Sequence, residues 1–315
     1  MKQEQVKGLL QVAALCLASL TLALAGGTIP VAGVFLGLLT PLPVILLSVR
    51  HGRAIALLGV LVVGACLAPL LGLGYTWLFY LEFGLPAAVL AEAIRREWAP
   101  EPSVAAGVVA TLGGSLLALF MLSRGAGGPI EYLLEHLDRA LAEAMRFYNK
   151  IGLSPDEIGG LSTSAEQMRK FLLATSPGLF IATALLTTST NYFLARSGLA
   201  RASTSGGTDQ GFAWSMPDWL VWVFIGAASL FLSGLPIVKE IGLNGLLVMV
   251  TLYFLQGLAI AAFWIRRLKL PPLLGILGIG LLLLQPLLLL LLTGVGLFDI
   301  WFVFRRQTLP RPPSA

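Results

Sequence analysis

The sequence predicts an all-α, polytopic transmembrane helical bundle of about nine spans, and three observations predict it. Of 315 residues, 57% are hydrophobic and 12% charged, where a soluble domain carries about 25% charged residues. The apolar residues gather into nine runs, 8–25, 31–49, 54–73, 75–94, 104–122, 176–195, 218–236, 241–265 and 271–297. At 18 to 27 residues each, these match the roughly 20 residues that a helix needs to cross a hydrocarbon core. None alternates polar and apolar residues as a barrel strand would, and an open strand leaves its backbone unpaired in lipid. An ordinary cytosolic enzyme, a disordered chain and a disulfide-stapled secreted domain are thereby excluded. Cys16 and Cys66 both lie inside apolar runs and read as small core residues.

The runs group into an N-terminal five-span bundle (1–122), an extramembrane insertion (123–175), a C-terminal four-span bundle (176–304) and a polar tail (305–315). The first run follows Lys2 and Lys7 and ends near Ala23-Leu24-Ala25, which resembles a leader cleavage site. Its 18 apolar residues exceed the usual 7–15 of a leader, so it is read as a retained span. With the N-terminus inside, eleven basic residues share one side: Lys2, Lys7, Arg50, Arg53, Arg95, Arg96, Arg196, Arg201, Arg266, Arg267 and Lys269. The opposite turns Gly26-Gly27-Thr28 and Gly72-Leu73-Gly74 carry no charge, as the positive-inside rule requires. The expected location is therefore the bacterial cytoplasmic (inner) membrane, with a cytoplasmic N-terminus. Nine spans place Arg305, Arg306 and Arg311 on the wrong side, and a re-entrant break at Gln285-Pro286 is the alternative.

Within 123–175, residues 130–151 place Ile130, Leu133, Leu134, Leu137, Leu141, Ala144, Met145, Tyr148 and Ile151 on one helical face. A second short helix is expected after Ser164, running through Glu166 and Arg169 into the next span. The insertion reads as a lid or interfacial helix, with a partner-binding surface as the alternative. Segment 196–217, with Arg201-Ala202-Ser203-Thr204-Ser205-Gly206-Gly207, reads as a flexible loop.

No P-loop, G-x-G-x-x-G, H-E-x-x-H, G-x-S-x-G or C-x-x-C motif occurs. The expectation is no enzyme, no catalytic residue, no cofactor and no metal; His51 and His136 stand too far apart to suggest a metal pair. Basic residues form no stripe suited to nucleic acid. What remains is polarity inside the bilayer. Glu82, seven residues after Tyr75 and four before Pro86, is the one acid read as lying well within a span, where charge is costly. Pro86 leaves the carbonyl of Glu82 without its helical donor. Two readings stand side by side: a functional acid at a broken turn, or a structural acid beside a kink. On the sixth span, Thr183, Thr187, Thr190 and Asn191 share a face by spacing. They serve either as packing glue or as a cavity lining. Asn244 and Gln256 in the eighth span, and Gln285 in the ninth, are read the same way. The candidate substrate-binding set is thus Glu82, Thr187, Thr190, Asn191, Asn244 and Gln256. The spacings Ala14-x-x-x-Ala18 and Gly33-x-x-x-Gly37 permit close helix approach.

Several short patterns resemble the bacterial YybS-like multi-pass membrane family. They are Pro41-Leu42-Pro43, Glu82-Phe83-Gly84-Leu85-Pro86, Asn191, Gly242-Leu243-Asn244, Leu252-Tyr253-Phe254-Leu255-Gln256-Gly257 and Phe298-Asp299-Ile300-Trp301-Phe302 before Arg305-Arg306. Val303 stands where tails of that family often carry a second acid. The resemblance implies a multi-span plan and no activity. More distantly, residues 8–122 are similar to the S components of energy-coupling-factor transporters, which implies a coupling contact at Ala14 and Ala18. The expected partners are the lipid bilayer, a small-molecule ligand, and proteins at Ala14/Ala18 or at the 130–151 helix. The leading expectation is a membrane protein that binds or transports a small molecule near Glu82. The alternative is a non-transporting scaffold or envelope-biogenesis factor.

Overall fold

The computed structural model describes residues 2–29, 32–125, 127–150, 155–202 and 216–268, then 271, 274–275, 278, 280, 285–302 and 304. No strand occurs among the described residues. The chain divides into two units, Met1–Ala195 and Arg196–Ala315.

The first unit holds α1 (Lys2–Thr28), α2 (Ala32–Leu38), α3 (Pro41–His51), α4 (Arg53–Leu78), α5 (Leu85–Arg95), α6 (Pro100–Leu122), α7 (Pro129–Lys150) and most of α8 (Pro155–Ala202). Between α2 and α3 the helix tightens at Leu39-Thr40, where Thr40 N–H bonds Gly37 O at 3.0 Å, and 33–51 make one span. The apolar stretch 53–95 is a single 43-residue element by helical content, but Gly72 at φ 87°, ψ 165° reverses it. Only glycine reaches that region without a Cβ penalty. The reversal is proved by Tyr80, whose hydroxyl donates to Leu61 O at 3.3 Å. In a continuous helix these two would stand about 28 Å apart. The six apolar helices long enough to cross a membrane among the described residues therefore contain a hairpin of two crossings.

Packing explains the order. Ala23 meets Val63, Leu67 and Phe79 in one buried cluster, and Tyr75 donates to Ala23 O at 2.6 Å. Cys16 lies beside Gly59, so α1 runs parallel to the first arm of α4. Its Lys7 end therefore shares a level with Arg53. At that level Glu92 accepts from Arg53 (Nη2, 2.5 Å), Arg96 (Nε, 2.7 Å) and Arg95 (Nη2, 3.1 Å). Arg95 also donates to Ser48 O at 3.2 Å. Three of the basic residues that the sequence assigns to one side, Arg53, Arg95 and Arg96, thus meet at one end of this unit.

At the uncharged end α7 forms as the amphipathic pattern predicts, and Arg169 of α8 bonds Asp138 of α7 at 2.8 Å. The helix expected after Ser164 does run into the next span, and it starts earlier than expected: α8 extends unbroken from Pro155 through the sixth apolar run to Ala202. That helix also corrects the loop expected from residue 196, since 196–202 are helical; residues 203–215 lie outside the described residues. The sixth span groups with the first unit, because Tyr192 and Ala195 pack with Val44, Ile45, Ala87 and Leu90.

The second unit holds α9 (Leu220–Phe231), α10 (Pro236–Arg267) and α11 (Pro286–Phe302). The run expected to span at 218–236 stops at Phe231, because Pro236 forces Leu235 extended (φ −94°, ψ 121°). Its 12 residues reach about 18 Å, short of a full crossing. The ninth run is interrupted: residues 274, 275, 278 and 280 are helical, Gln285 is non-helical and Pro286 opens α11, so the helix breaks at Gln285-Pro286, where the sequence offers a break as the alternative. The tail, with Arg305, Arg306 and Arg311, lies outside the described residues. α10 and α11 approach closely at glycines; a Cβ on Gly257 would strike Leu292 O, and one on Gly296 would strike Tyr253 O.

Candidate functional site

The first unit contains a partly open cavity of about 500 Å³, within the usual size of ligand pockets. Five elements contribute to it: Gly26 from α1, Gly33, Val34 and Gly37 from α2, Tyr75 and Leu78 from the second arm of α4, Thr111 and Ser115 from α6, and Ser176, Thr183 and Thr187 from α8. Glu82 and Phe83 enter from the turn that follows α4.

That turn, Phe79–Gly84, is π-helical, and the local sequence explains it. Pro86 has no N–H to give to Glu82 O, so a regular turn is broken there. The widened turn re-pairs the backbone with five-residue steps, and Leu85 N–H donates to Tyr80 O. π-Turns inside helices often mark functional sites, and this one turns Glu82 toward the cavity. Gly114 faces it so closely that a Cβ would collide with Leu81 O. On the opposite wall, a Cβ on Gly33 would strike Ala25 O, and Gly37 faces Gly26. The Gly33-x-x-x-Gly37 spacing is thus a real seam between α1 and α2. Ala14 of the other spacing is exposed.

Most polar groups at the cavity already use their protons. Tyr75 donates to Ala23 O (2.6 Å), Thr111 to Gly107 O (2.9 Å) and Ser176 to Leu173 O (2.9 Å). The Ser115 hydroxyl lines the cavity together with the Glu82 carboxyl. Glu82 is the sole acid, and no Lys, Arg or His stands with it, among the described lining residues.

Of the predicted site residues, Glu82 and Thr187 meet at this cavity, together with Thr183. Asn191 is fully buried one turn below and donates to Thr187 O and Leu38 O, both at 2.6 Å. Its Oδ1 is buried without a partner. Thr190 is not among the lining residues. Asn244 and Gln256 belong to the second unit and do not join the set. Asn244 donates to Glu240 O on its own helix at 2.8 Å and is half-buried. Gln256 is 1% exposed and donates to Asp299 Oδ2 at 3.1 Å, while its Oε1 accepts from Met216 N–H at 3.2 Å. Asp299 Oδ1 accepts from Phe304 N–H at 2.9 Å. Asp299 is thus a second buried acid, 6% exposed near the C-terminal end of α11, beside the Glu82 that the sequence reading places well within a span. The signal was present in Asp299 following an unbroken apolar run, but the helix start at Pro286 had to be known.

Residues missed from sequence include Thr111 and Ser115. They stand four apart, on the face of α6 that carries Gly107 and Gly114, and that spacing was the available signal. Among the described residues no group of three or more His, Cys, Asp or Glu could hold a metal ion.

Residues 17–300 match the family described as "Predicted membrane protein (DUF2232)". The chain belongs to this family. No curated protein and no solved structure matches it, and the likeness of residues 8–122 to S components finds no support there. The family and the helices agree on a multi-pass membrane protein in contact with the lipid bilayer.

Proposed function

We propose that this chain binds a small molecule in the cavity beside Glu82 and carries it across the bacterial cytoplasmic membrane, with the arginine-rich end of the first unit in the cytoplasm. One observation carries the reading: five helical elements converge on a partly open cavity, and the single acid among its described lining residues sits on a π-helical turn inside a span. Intramembrane acids of this kind mark substrate or ion paths by default. The glycine seam and the cavity's hydroxyls fit the same role.

The experiment is uptake and ligand-dependent thermal stabilisation of the full chain in proteoliposomes, across a panel of small metabolites. Thr183 is exposed within the cavity, so Thr183→Trp fills it with little disturbance of the core. A ligand response that Thr183→Trp abolishes supports the reading. Wild type, Thr183→Trp and Glu82→Gln behaving alike across the panel overturns it. Removal of α7 separates it from the scaffold reading, since a scaffold loses its protein partners and a transporter keeps its ligand response.

A further inference from the structure

We propose that the cavity takes an organic ammonium ion with an apolar body, and that the ammonium and a proton compete for Glu82. This rests on the reading that the cavity binds a small molecule and adds the chemical class of that molecule.

The hydrogen-bond valences point to it. A hydroxyl has one proton to donate and lone pairs to accept with. Tyr75, Thr111 and Ser176 spend that proton on backbone carbonyls, so all three offer only lone pairs to anything in the cavity. Donors are left on three hydroxyls, Ser115, Thr183 and Thr187. No cationic side chain is among the described lining residues.

Such a space is rich in acceptors and poor in donors. An anionic ligand would face a carboxyl and lone pairs with no charged donor, an unpaired charge in a low-dielectric site. A neutral alcohol gives one bond and leaves any charge on Glu82 uncompensated. An ammonium brings up to three N–H donors and the opposite charge. Its charge-assisted bonds are the strong ones. The other walls, Val34, Phe83, Leu179 and Phe180, suit an apolar body, and aromatic faces favour a neighbouring cation.

The balance follows from charge. With a proton on the carboxyl, or with the ammonium beside the carboxylate, the site is neutral, as a hydrocarbon setting demands. Exchange of one for the other releases one proton to water and forms one ion pair. From the elements packed around Glu82, Tyr75 is the only other titratable side chain among the described lining residues. The competition is therefore between a proton and a cation on one group.

The test is equilibrium binding to the full chain in zwitterionic nanodiscs, with phenethylammonium, 2-phenylethanol and phenylacetate as matched probes. The expected result is phenethylammonium binding at least about tenfold tighter than the other two. That affinity falls as pH is lowered from about 8 to about 5, approaching tenfold per pH unit where the proton dominates. Glu82→Gln removes at least about tenfold of it together with the pH dependence, and Glu82→Asp retains the preference for the ammonium. Monodisperse elution of each variant shows that it is folded. Ammonium affinity unchanged in Glu82→Gln, or independent of pH, overturns the proposal. Tighter binding of the alcohol or the acid, removed by Thr183→Trp, overturns the ammonium assignment and leaves the binding cavity standing. Failure of all three probes to bind, with no ligand found by the panel above, overturns both.

Discussion

Glu82 in the first unit and Asp299 in the second are both carboxyls set among apolar helices, yet their surroundings are opposite. Asp299 is enclosed: Gln256 and Phe304 N–H bond its two oxygens, and Gln256 in turn holds Met216 N–H. Every member of that network has a partner, so it ties α10, α11 and the segments at Met216 and Phe304 together. Glu82 shares a cavity of about 500 Å³ with the Ser115 hydroxyl. The hollow found in the second unit is lined by Leu287, Leu290, Leu291, Gly294, Val295, Phe298, Phe302 and Phe304, with no polar side chain. A buried acid whose bonds are made within the protein stabilises a fold; one left facing a space is available to a ligand.

The largest effects should come from the glycines that let backbones touch. Gly296→Val sets a side chain against Tyr253 O and should cost about 3 kcal/mol or more, read as loss of monodisperse protein and a lowered Tm. Gly114→Val in the first unit meets Leu81 O. It should displace the π-helical turn, so ligand response falls even where folded protein is recovered.

The comparison itself is tested by removing each acid. Asp299→Ala leaves Gln256 and Phe304 N–H without an acceptor and should cost about 2–3 kcal/mol, with Asp299→Asn milder. Glu82→Gln should change stability by less than about 1 kcal/mol while abolishing the response to ligand. Thermal unfolding of both variants decides it, and a larger stability loss in Glu82→Gln than in Asp299→Ala would sink the distinction.

Asn191→Ala comes next. It deletes the bonds to Leu38 O and Thr187 O and should cost about 1–2 kcal/mol, whereas Thr190→Ala, away from the lining, should leave ligand binding unaltered. The smallest effect belongs to Glu92→Gln. Its arginine partners are solvated, two of them with side chains 70% and 61% exposed. The change in Tm should be slight at low salt and vanish at high salt.

Much of the fold was legible in the residues. Helices fall on all nine apolar runs, and Gly72-Leu73-Gly74 is the turn that the sequence indicates. Glu82 before Pro86 announced a broken helix, and the structure supplies the π-helical form of the break. The eleven basic residues sorted to one side include Arg53, Arg95 and Arg96, which do meet on Glu92. Less was legible of the site. Thr183, Thr187, Thr190 and Asn191 share a face by spacing, but only the first two reach the cavity lining, because depth along α8 is set by what packs beside each turn. Gln256 looked equivalent to Asn191; its partner is Asp299, 43 residues away, and no local pattern reveals that pairing.

By itself the sequence determined that this chain is a stack of membrane helices and which ends carry charge. Both follow from local quantities: the cost of unpaired backbone in hydrocarbon and the hydropathy of about 20 residues at a time. Only the tertiary structure decided which acid is bonded and which faces a space. Whether a buried polar group is satisfied depends on what distant helices bring to within about 3 Å of it, and a single stretch of chain does not contain that information.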